Sequence, residues 1–201
     1  MDAKAMYKLT YGLFVLTSKR DGRDNGCIVN TAGQVTSSPN RISVAVNKQN
    51  LTHDFIRDSG EFNISILSEK APFETFKHWG MQSGHNTDKM ASIEFARSPN
   101  GIAYITNGAN AFLSAKVVQS VDLGSHTLFI ADVTDGAVFS EDESATYAFY
   151  QKNIKPKPRE ETEKKKGFIC TVCGYIYEGD ILPDDFICPV CKHPASDFVP
   201  L

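Results

Sequence analysis

The sequence contains no apolar run close to the roughly 20 residues that a membrane-spanning helix needs. Its first twelve residues, MDAKAMYKLTYG, mix polar and apolar side chains instead of forming a charged-then-apolar leader. The formal net charge is only -3 over 201 residues, which argues against nucleic acid as a partner. The glycine patterns of a Rossmann dinucleotide site and of a P-loop are also missing. We therefore expect a soluble, cytoplasmic protein without either nucleotide-binding fold.

Cysteines are few and unevenly placed. Four of the five form two CxxC pairs near the C-terminus: Cys170, Cys173, Cys188 and Cys191. A disulfide framework would not concentrate its cysteines in this way, so the pattern indicates a reducing compartment and a metal site. Gly174 favours the turn after the first pair, and Pro189 stiffens the second. Tetrahedral thiolate ligation suits iron and zinc alike, and the remaining Cys27 is expected to be buried packing.

A charged stretch divides the chain. Residues 151–167 contain seven Lys or Arg, three Glu and two Pro with a single large aliphatic residue, so we interpret them as a linker. Residues 1–150 can then bury a core of their own, whereas residues 168–201 are too few to fold on apolar burial alone. That short module carries one basic and five acidic residues. It is therefore an acidic module on a basic tether.

The body of the chain reads mainly as β-structure. Six segments are rich in β-branched and aromatic residues: GLFVLTS, GCIVNTAGQV, RISVAVN, EFNISIL, AFLSAKVVQSV and SHTLFIADVTDGAVF. Short strands separated by turn signals favour a closed antiparallel sheet. One helix is predicted between a cap at Asn50 or Thr52 and a stop at Gly60, and a second over residues 71–80.

The C-terminal module resembles rubredoxin over residues 168–201. The resemblance rests on FICTVCGYIYEGD followed by LPDDFICPVCKHPASDF, with aromatic residues at five positions: Phe168, Tyr175, Tyr177, Phe186 and Phe198. It implies one iron ion bound by the four cysteines. Only 14 residues separate the pairs, as in the compact rubrerythrin-type domain, and Phe186 replaces the usual Trp. Lys192 stands where Gly is usual, and a zinc ribbon remains an alternative reading of the same ligands.

Residues 30–56 resemble the flavin-binding segment of flavin reductase-like proteins, which are split β-barrels that bind FMN. The polar run TAGQVTSSPN lies between apolar strands, and the next strand ends just before the predicted helix, where free amides favour phosphate. The resemblance implies FMN contacts from these residues: Asn30, Thr31, Gln34, Val35, Thr36, Ser37, Ser38, Asn47, Lys48, Asn50, Thr52 and His53.

Two further segments resemble the same family. WGMQSGHNTDKM, residues 79–90, is similar to the FGxxSGRxxDKF segment near the flavin, with His85 in place of Arg. It implies contacts from Trp79, Ser83, Asp88 and Lys89, although Trp79 could equally belong to the core. LGSHTLFIADV resembles the GDHxLFxGxV strand, whose His lies near nicotinamide and flavin. His126 is therefore the candidate catalytic residue, with a satisfied strand histidine as the alternative.

Together the two modules resemble the high-molecular-weight rubredoxins. The resemblance implies a mainly β fold, with an FMN-binding split β-barrel at 1–150, a linker at 151–167 and a rubredoxin-like domain at 168–201. It also implies a homodimer that passes electrons from NADH or NADPH through FMN to iron, and on to a flavodiiron oxygen or nitric oxide reductase. Two alternatives remain: a flavin or ferric reductase with an accessory rubredoxin, and a non-enzymatic zinc-ribbon binding module.

Overall fold

The computed structural model describes residues 2–156 and 167–201, so most of the predicted linker lies outside the described residues. The nine strands of the body are β1 (Phe14–Arg20), β2 (Arg23–Val29), β3 (Gly33–Ser37), β4 (Asn40–Asn47), β5 (Glu61–Leu67), β6 (Ala96–Arg97), β7 (Ala103–Tyr104), β8 (Ala109–Asp122) and β9 (His126–Val138). Its helices are α1 (Leu51–Ser59), α2 (Phe73–Gly80) and the single turn α3 (Tyr147–Phe149). A 3-10 helix precedes β1 at Ala3–Lys8, and a π-helical turn follows α3 at Tyr150–Ile154.

Seven strands form one antiparallel sheet in the order β2-β1-β5-β8-β9-β4-β3. The mainly β prediction is confirmed, with one correction of an element: GCIVNTAGQV is not a single strand. It separates into β2 and β3, which lie at opposite ends of the strand order and are joined by residues 30–32. Each half pairs with its hairpin neighbour, β2 with β1 and β3 with β4. The chain therefore passes from one edge strand of the sheet to the other through the segment between β2 and β3.

Helix α1 packs its apolar stripe against β1 and β2 of the sheet. Leu51, Phe55 and Ile56 are buried on one face, as the helical spacing predicts. The helix ends at Gly60, whose φ of 72° is left-handed and whose N–H donates to the carbonyl of Ile56. Asn50 precedes the helix in an extended conformation but forms no side-chain cap. The N–H of His53 donates to the carbonyl of Asn50, and the N–H of Thr52 lies 3.2 Å from the side-chain amide of Asn25.

The body has two hydrophobic clusters, one between α1 and the sheet and one beneath α2. Trp79 of α2 belongs to the second cluster and is only 2% exposed. It approaches β2 so closely that a Cβ at Gly26 would lie 2.6 Å from its ring. The close approach fixes α2, and the loop that follows it, against the middle of β2. Trp79 is thus a core residue in this structure.

The C-terminal domain is built on three short strands: β10 (Phe168–Cys170), β11 (Ile176–Tyr177) and β12 (Phe198–Pro200). They form a separate antiparallel sheet in the order β11-β10-β12. Its core consists of cysteines and aromatic rings rather than aliphatic side chains. No helix within the described ranges has the length and apolar character needed to cross a membrane.

Candidate functional site

The two CxxC pairs form matching turns. In the first, the N–H of Gly174 donates to the carbonyl of Cys170, and in the second the N–H of Lys192 donates to the carbonyl of Cys188. The residue four positions after the first cysteine has a left-handed φ in both turns, 78° at Gly174 and 64° at Lys192. Lys192 is therefore the structural counterpart of Gly174. This equivalence explains why glycine is favoured there, since only glycine adopts that conformation without steric cost.

The turns bring all four cysteine sulfurs within 4.8 Å of one another. The closest pairs, Cys170 with Cys191 and Cys173 with Cys188, are each 3.5 Å apart. Burial raises the pKa of Cys173 to about 11. Burial acts in the same direction at Cys188, but backbone N–H groups donate to its sulfur and its pKa is lowered. Four sulfur donors at these separations fit one soft, tetrahedral cation.

Aromatic rings cover the sulfur cluster. Phe186 lies at the centre, with ring-centroid distances of 4.8 Å to Tyr177 and 5.4 Å to Phe198, both in edge-to-face contact. Tyr175 stacks on it at 6.5 Å. The five aromatic positions recognised in the sequence all pack around the cysteines. Such a shell limits the access of water to a bound ion and so influences its reduction potential.

A small cavity of about 80 Å³ lies at the N-terminal end of α1, and we call it the α1 cavity. Four predicted flavin contacts line it: Asn50, Thr52, Ser83 and Lys89. The other lining residues come from three places in the body of the chain, which we call the barrel domain, and from one place in the C-terminal domain. They are Asn25, Gly26, Cys27, Gln49, Leu51, Gly80, Gln82, Gly84, Val190, Cys191 and Lys192. Residues distant in sequence thus share one site.

The α1 cavity has the electrostatics of an anion site. Among the described residues that line it are two lysines, and none is an aspartate or glutamate. Lys89 is only 3% exposed, and its ammonium donates to the carbonyls of Gly26 and Trp79 at 3.0 and 2.9 Å. An ammonium has three N–H donors, so one is left for a ligand. The positive end of α1 adds to this charge, and the cavity therefore fits a phosphate group.

Burial lowers the pKa of Lys89 below the usual lysine value of 10.5. Between its folded pKa and 10.5 the unfolded chain binds more protons, so stability of the ligand-free protein should rise with pH in that window. We expect the Lys89→Met variant to lack this rise. Urea unfolding followed by the fluorescence of Trp79, the only tryptophan, would measure it. A difference between wild type and variant that is constant up to pH 10.5 would contradict the assignment.

A second cavity, of about 560 Å³, lies beyond the C-terminal end of β2. Two predicted flavin contacts, Asn30 and Thr31, line it together with Gln151 and with apolar and aromatic residues of the N-terminal and α3 segments: Met6, Leu9, Tyr11, Tyr147 and Ala148. Its volume is within the range of small-molecule sites. Strand β2 therefore connects a small cationic cavity with a larger, mostly apolar one. A flavin mononucleotide has two corresponding parts: an anionic phosphate, which would suit the cationic cavity, and a flat aromatic ring, which would suit the apolar one.

Other predicted flavin contacts lie outside both cavities. Four of them, Gln34, Val35, Thr36 and Ser37, are exposed on β3, and Ser38 lies in the turn that follows. Lys48 forms an ion pair with Asp122 at 2.7 Å. Asn47 accepts a hydrogen bond from the N–H of Gln49 just before α1. Within a single chain, these residues therefore do not line the α1 cavity.

Three further candidates are held by contacts within the protein. His53 is 4% exposed, and its ring nitrogens lie 2.9 Å from the Thr127 hydroxyl and 3.2 Å from the Asp54 carboxylate. Asp88 accepts from the N–H of Met90. His126 begins β9 opposite Asn47, with Nδ1 2.9 Å from the Ser125 hydroxyl. His53 therefore has the environment of a satisfied buried histidine, whereas His126 is only half-buried.

Sequence reasoning did not identify Asn25, Gly84 or Lys192 as residues of the α1 cavity. Asn25 lies on β2 and is 2% exposed, with its amide 2.8 Å from the Thr52 hydroxyl. Gly84 approaches Asn25 so closely that a Cβ would lie 2.3 Å from its amide oxygen. Asn25 lies in the polar run DGRDNG, which reads as a turn, so its burial had no signal in the sequence. Lys192 was noticed only as a departure from the rubredoxin pattern.

Comparisons with known proteins agree with this two-part organisation. The family described as flavin reductase like domain matches residues 6–157. The family described as rubrerythrin, rubredoxin-like domain matches residues 168–199. The second match contains all four clustered cysteines. Each family therefore covers one of the two cores seen in the structure.

Two curated relatives and one solved structure are informative. A high molecular weight rubredoxin of Moorella thermoacetica is 38% identical, over 95% of this chain and 96% of its own. A ferric-chelate reductase (NAD(P)H) of Archaeoglobus fulgidus is 39% identical, over 81% of this chain and 96% of its own. The structure of flavin reductase PheA2 superposes with a TM-score of 0.62 at 26% identity, over 73% of this chain and 93% of that one.

Proposed function

This chain belongs to the flavin reductase-like family and, over nearly its whole length, to the high-molecular-weight rubredoxins within it; from this premise we propose that it is an NADH-dependent electron-transfer flavoprotein. Its cofactors are FMN and one iron ion, with reduced nicotinamide as donor. Electrons would pass from NADH through the flavin to the iron and then to a redox partner. The observation that carries the proposal is a four-sulfur cluster on the same chain as a flavin reductase-like domain.

The barrel domain would bind FMN along β2. Lys89 and the first turn of α1 would bind the phosphate, and Asn30 and Thr31 would contact the ring at the larger cavity. When bound, FMN accepts a hydride from nicotinamide and releases the electrons singly. The exposed hydroxyls of β3 and the half-buried His126 would then line the approach of nicotinamide or of a second protomer. Asn47 and Lys48, beside α1, would be further FMN contacts, and mutagenesis would test each of these roles.

The C-terminal domain would bind the iron. Cys170 and Cys188 are buried, while Cys173 and Cys191 are half-buried, so one side of the cluster is nearer to the surface. The aromatic residues pack around the cluster. The half-buried Cys173, which lies outside the lining of the α1 cavity, would give an electron a short route to a docked protein. Stopped-flow mixing with NADH under anaerobic conditions should show flavin bleaching before the ferric-thiolate absorption, and iron bleaching without a preceding flavin change would contradict the proposed order.

A flavodiiron protein is the proposed acceptor. The C-terminal domain carries five acidic residues and one basic residue, so we expect it to dock on a basic surface. Electron transfer to the purified partner should then slow as ionic strength rises, because salt screens the attraction. The measurement is the rate of NADH oxidation in the presence of the partner, from low to high salt. A rate that does not vary with salt would exclude the acidic face as the docking surface.

Ferric-chelate reduction is the second candidate function, since the Archaeoglobus relative bears that name and matches 81% of this chain at 39% identity. The two functions differ in their need for the metal centre. A chelate could take electrons directly from the flavin, whereas a protein acceptor would receive them from the iron. Comparing both acceptors in a metal-free variant would distinguish the two activities.

A further inference from the structure

Lys192 is an exception in its own domain. It is the only Lys or Arg in residues 168–201, against five acidic residues. It also occupies the left-handed position of its turn, φ 64°, for which glycine is better suited. The equivalent residue in the other turn is indeed a glycine, Gly174. A lysine at this position therefore requires an explanation outside the folding of the turn.

The surroundings of Lys192 supply this explanation. Together with its neighbours Val190 and Cys191, it lines the α1 cavity of the barrel domain. That cavity already contains the buried Lys89 and the N-terminal turn of α1, and no carboxylate lies among its described lining residues. The single cation of an acidic domain is thus placed at an anion site of the other domain.

We propose that Lys192 binds the flavin phosphate, so that the rubredoxin-like domain completes the FMN site of its own chain. The proposal rests on FMN binding as argued above and adds a ligand from the second domain. Lys89 would bind the phosphate from the barrel side, and Lys192 would close the cavity over it. Because linkage is reciprocal, bound FMN would in turn hold the metal domain against the barrel. FMN binding and domain docking would then be one coupled equilibrium.

Lys192→Gly is a suitable test because glycine adopts the left-handed conformation without strain. The second CxxC turn should therefore form and bind metal as before. We expect the dissociation constant for FMN to rise about tenfold in this variant, which corresponds to about 1.4 kcal/mol. Quenching of flavin fluorescence by the deflavinated, metal-loaded protein would measure it. Lys192→Arg, which retains the charge, should keep most of the affinity.

Riboflavin provides the matched control, because it has the same ring and lacks the phosphate. The Lys192→Gly variant should bind riboflavin as wild type does, within about twofold. Equal FMN affinities in wild type and variant would overturn the proposal. This holds even if the reduction potential of the iron changed, because Lys192 would then act only on the thiolates. Failure of the wild-type protein to bind FMN at all would instead overturn the proposed function, so the two failures can be told apart.

Discussion

Replacing Cys173 and Cys188 together by alanine is expected to abolish electron transfer to a protein acceptor, while NADH still reduces the bound FMN when the assay contains saturating FMN. The pair removes one ligand from each turn, and two thiolates cannot form the tetrahedral site that the four sulfurs provide. The C-terminal domain should then lose its fold as well as its metal, because its core consists largely of the cysteines and the rings around them. Metal analysis, anaerobic flavin reduction and acceptor assays would be measured on the same preparation.

Cys27→Ala is the matched control for metal content. It removes the fifth cysteine, which is buried in the barrel domain and lies outside the sulfur cluster. This variant should retain a full complement of metal. Undiminished transfer to the protein acceptor by the metal-free double variant would show that electrons bypass the metal centre. Ferric-chelate reduction that survives in the same variant would assign that activity to the flavin alone.

Lys89→Met is expected to weaken FMN binding by about 10- to 100-fold. Hydrogen bonds to charged groups contribute about 1.5–3 kcal/mol, and every 1.4 kcal/mol is a factor of ten. Methionine fills the space of the lysine stem, but the carbonyls of Gly26 and Trp79 lose their donor, so the free energy of unfolding should fall as well. The effect should exceed that of Lys192, because Lys89 is almost fully buried and its charge is poorly screened. Fluorescence titration with FMN would measure the loss.

Riboflavin again separates the charge from the packing. Its affinity for Lys89→Met should remain close to that of wild type, since the phosphate is missing. FMN affinity should also decrease as the pH rises toward 10.5, because the pKa of Lys89 is lowered by burial and only the charged form attracts phosphate. An equal loss of affinity for riboflavin and FMN would mean that Lys89 supports the structure rather than the phosphate.

The local elements could be predicted from the sequence. Helix α1 was expected between a cap at Asn50 or Thr52 and Gly60, and it spans Leu51–Ser59. Its boundaries depend on residues within one turn of each end, which the sequence shows directly. The metal centre is local in the same sense, because two CxxC turns determine which sulfurs meet. All four predicted ligands lie in the observed cluster.

The division of GCIVNTAGQV into β2 and β3 could not be predicted in this way. Both halves have strand propensity, and the break at residues 30–32 depends on which partners the halves find in the sheet. The α1 cavity has the same difficulty. Asn25 and Gly84 are distant in sequence, and tertiary contacts such as the packing of Trp79 on Gly26 and the hydrogen bond from Arg23 to the Gly84 carbonyl bring their segments together. The contribution of Lys192 depends on the position of one domain beside another.

An anaerobic visible spectrum of the protein purified from iron-replete cells, with metal analysis before and after adding NADH, tests the central claim most directly. The account predicts flavin bands overlaid on ferric-thiolate absorption, with about one iron per chain, and bleaching of both by NADH. A colourless protein that contains zinc and no flavin would contradict it. That result would remove the electron-transfer function and leave a zinc-ribbon binding module.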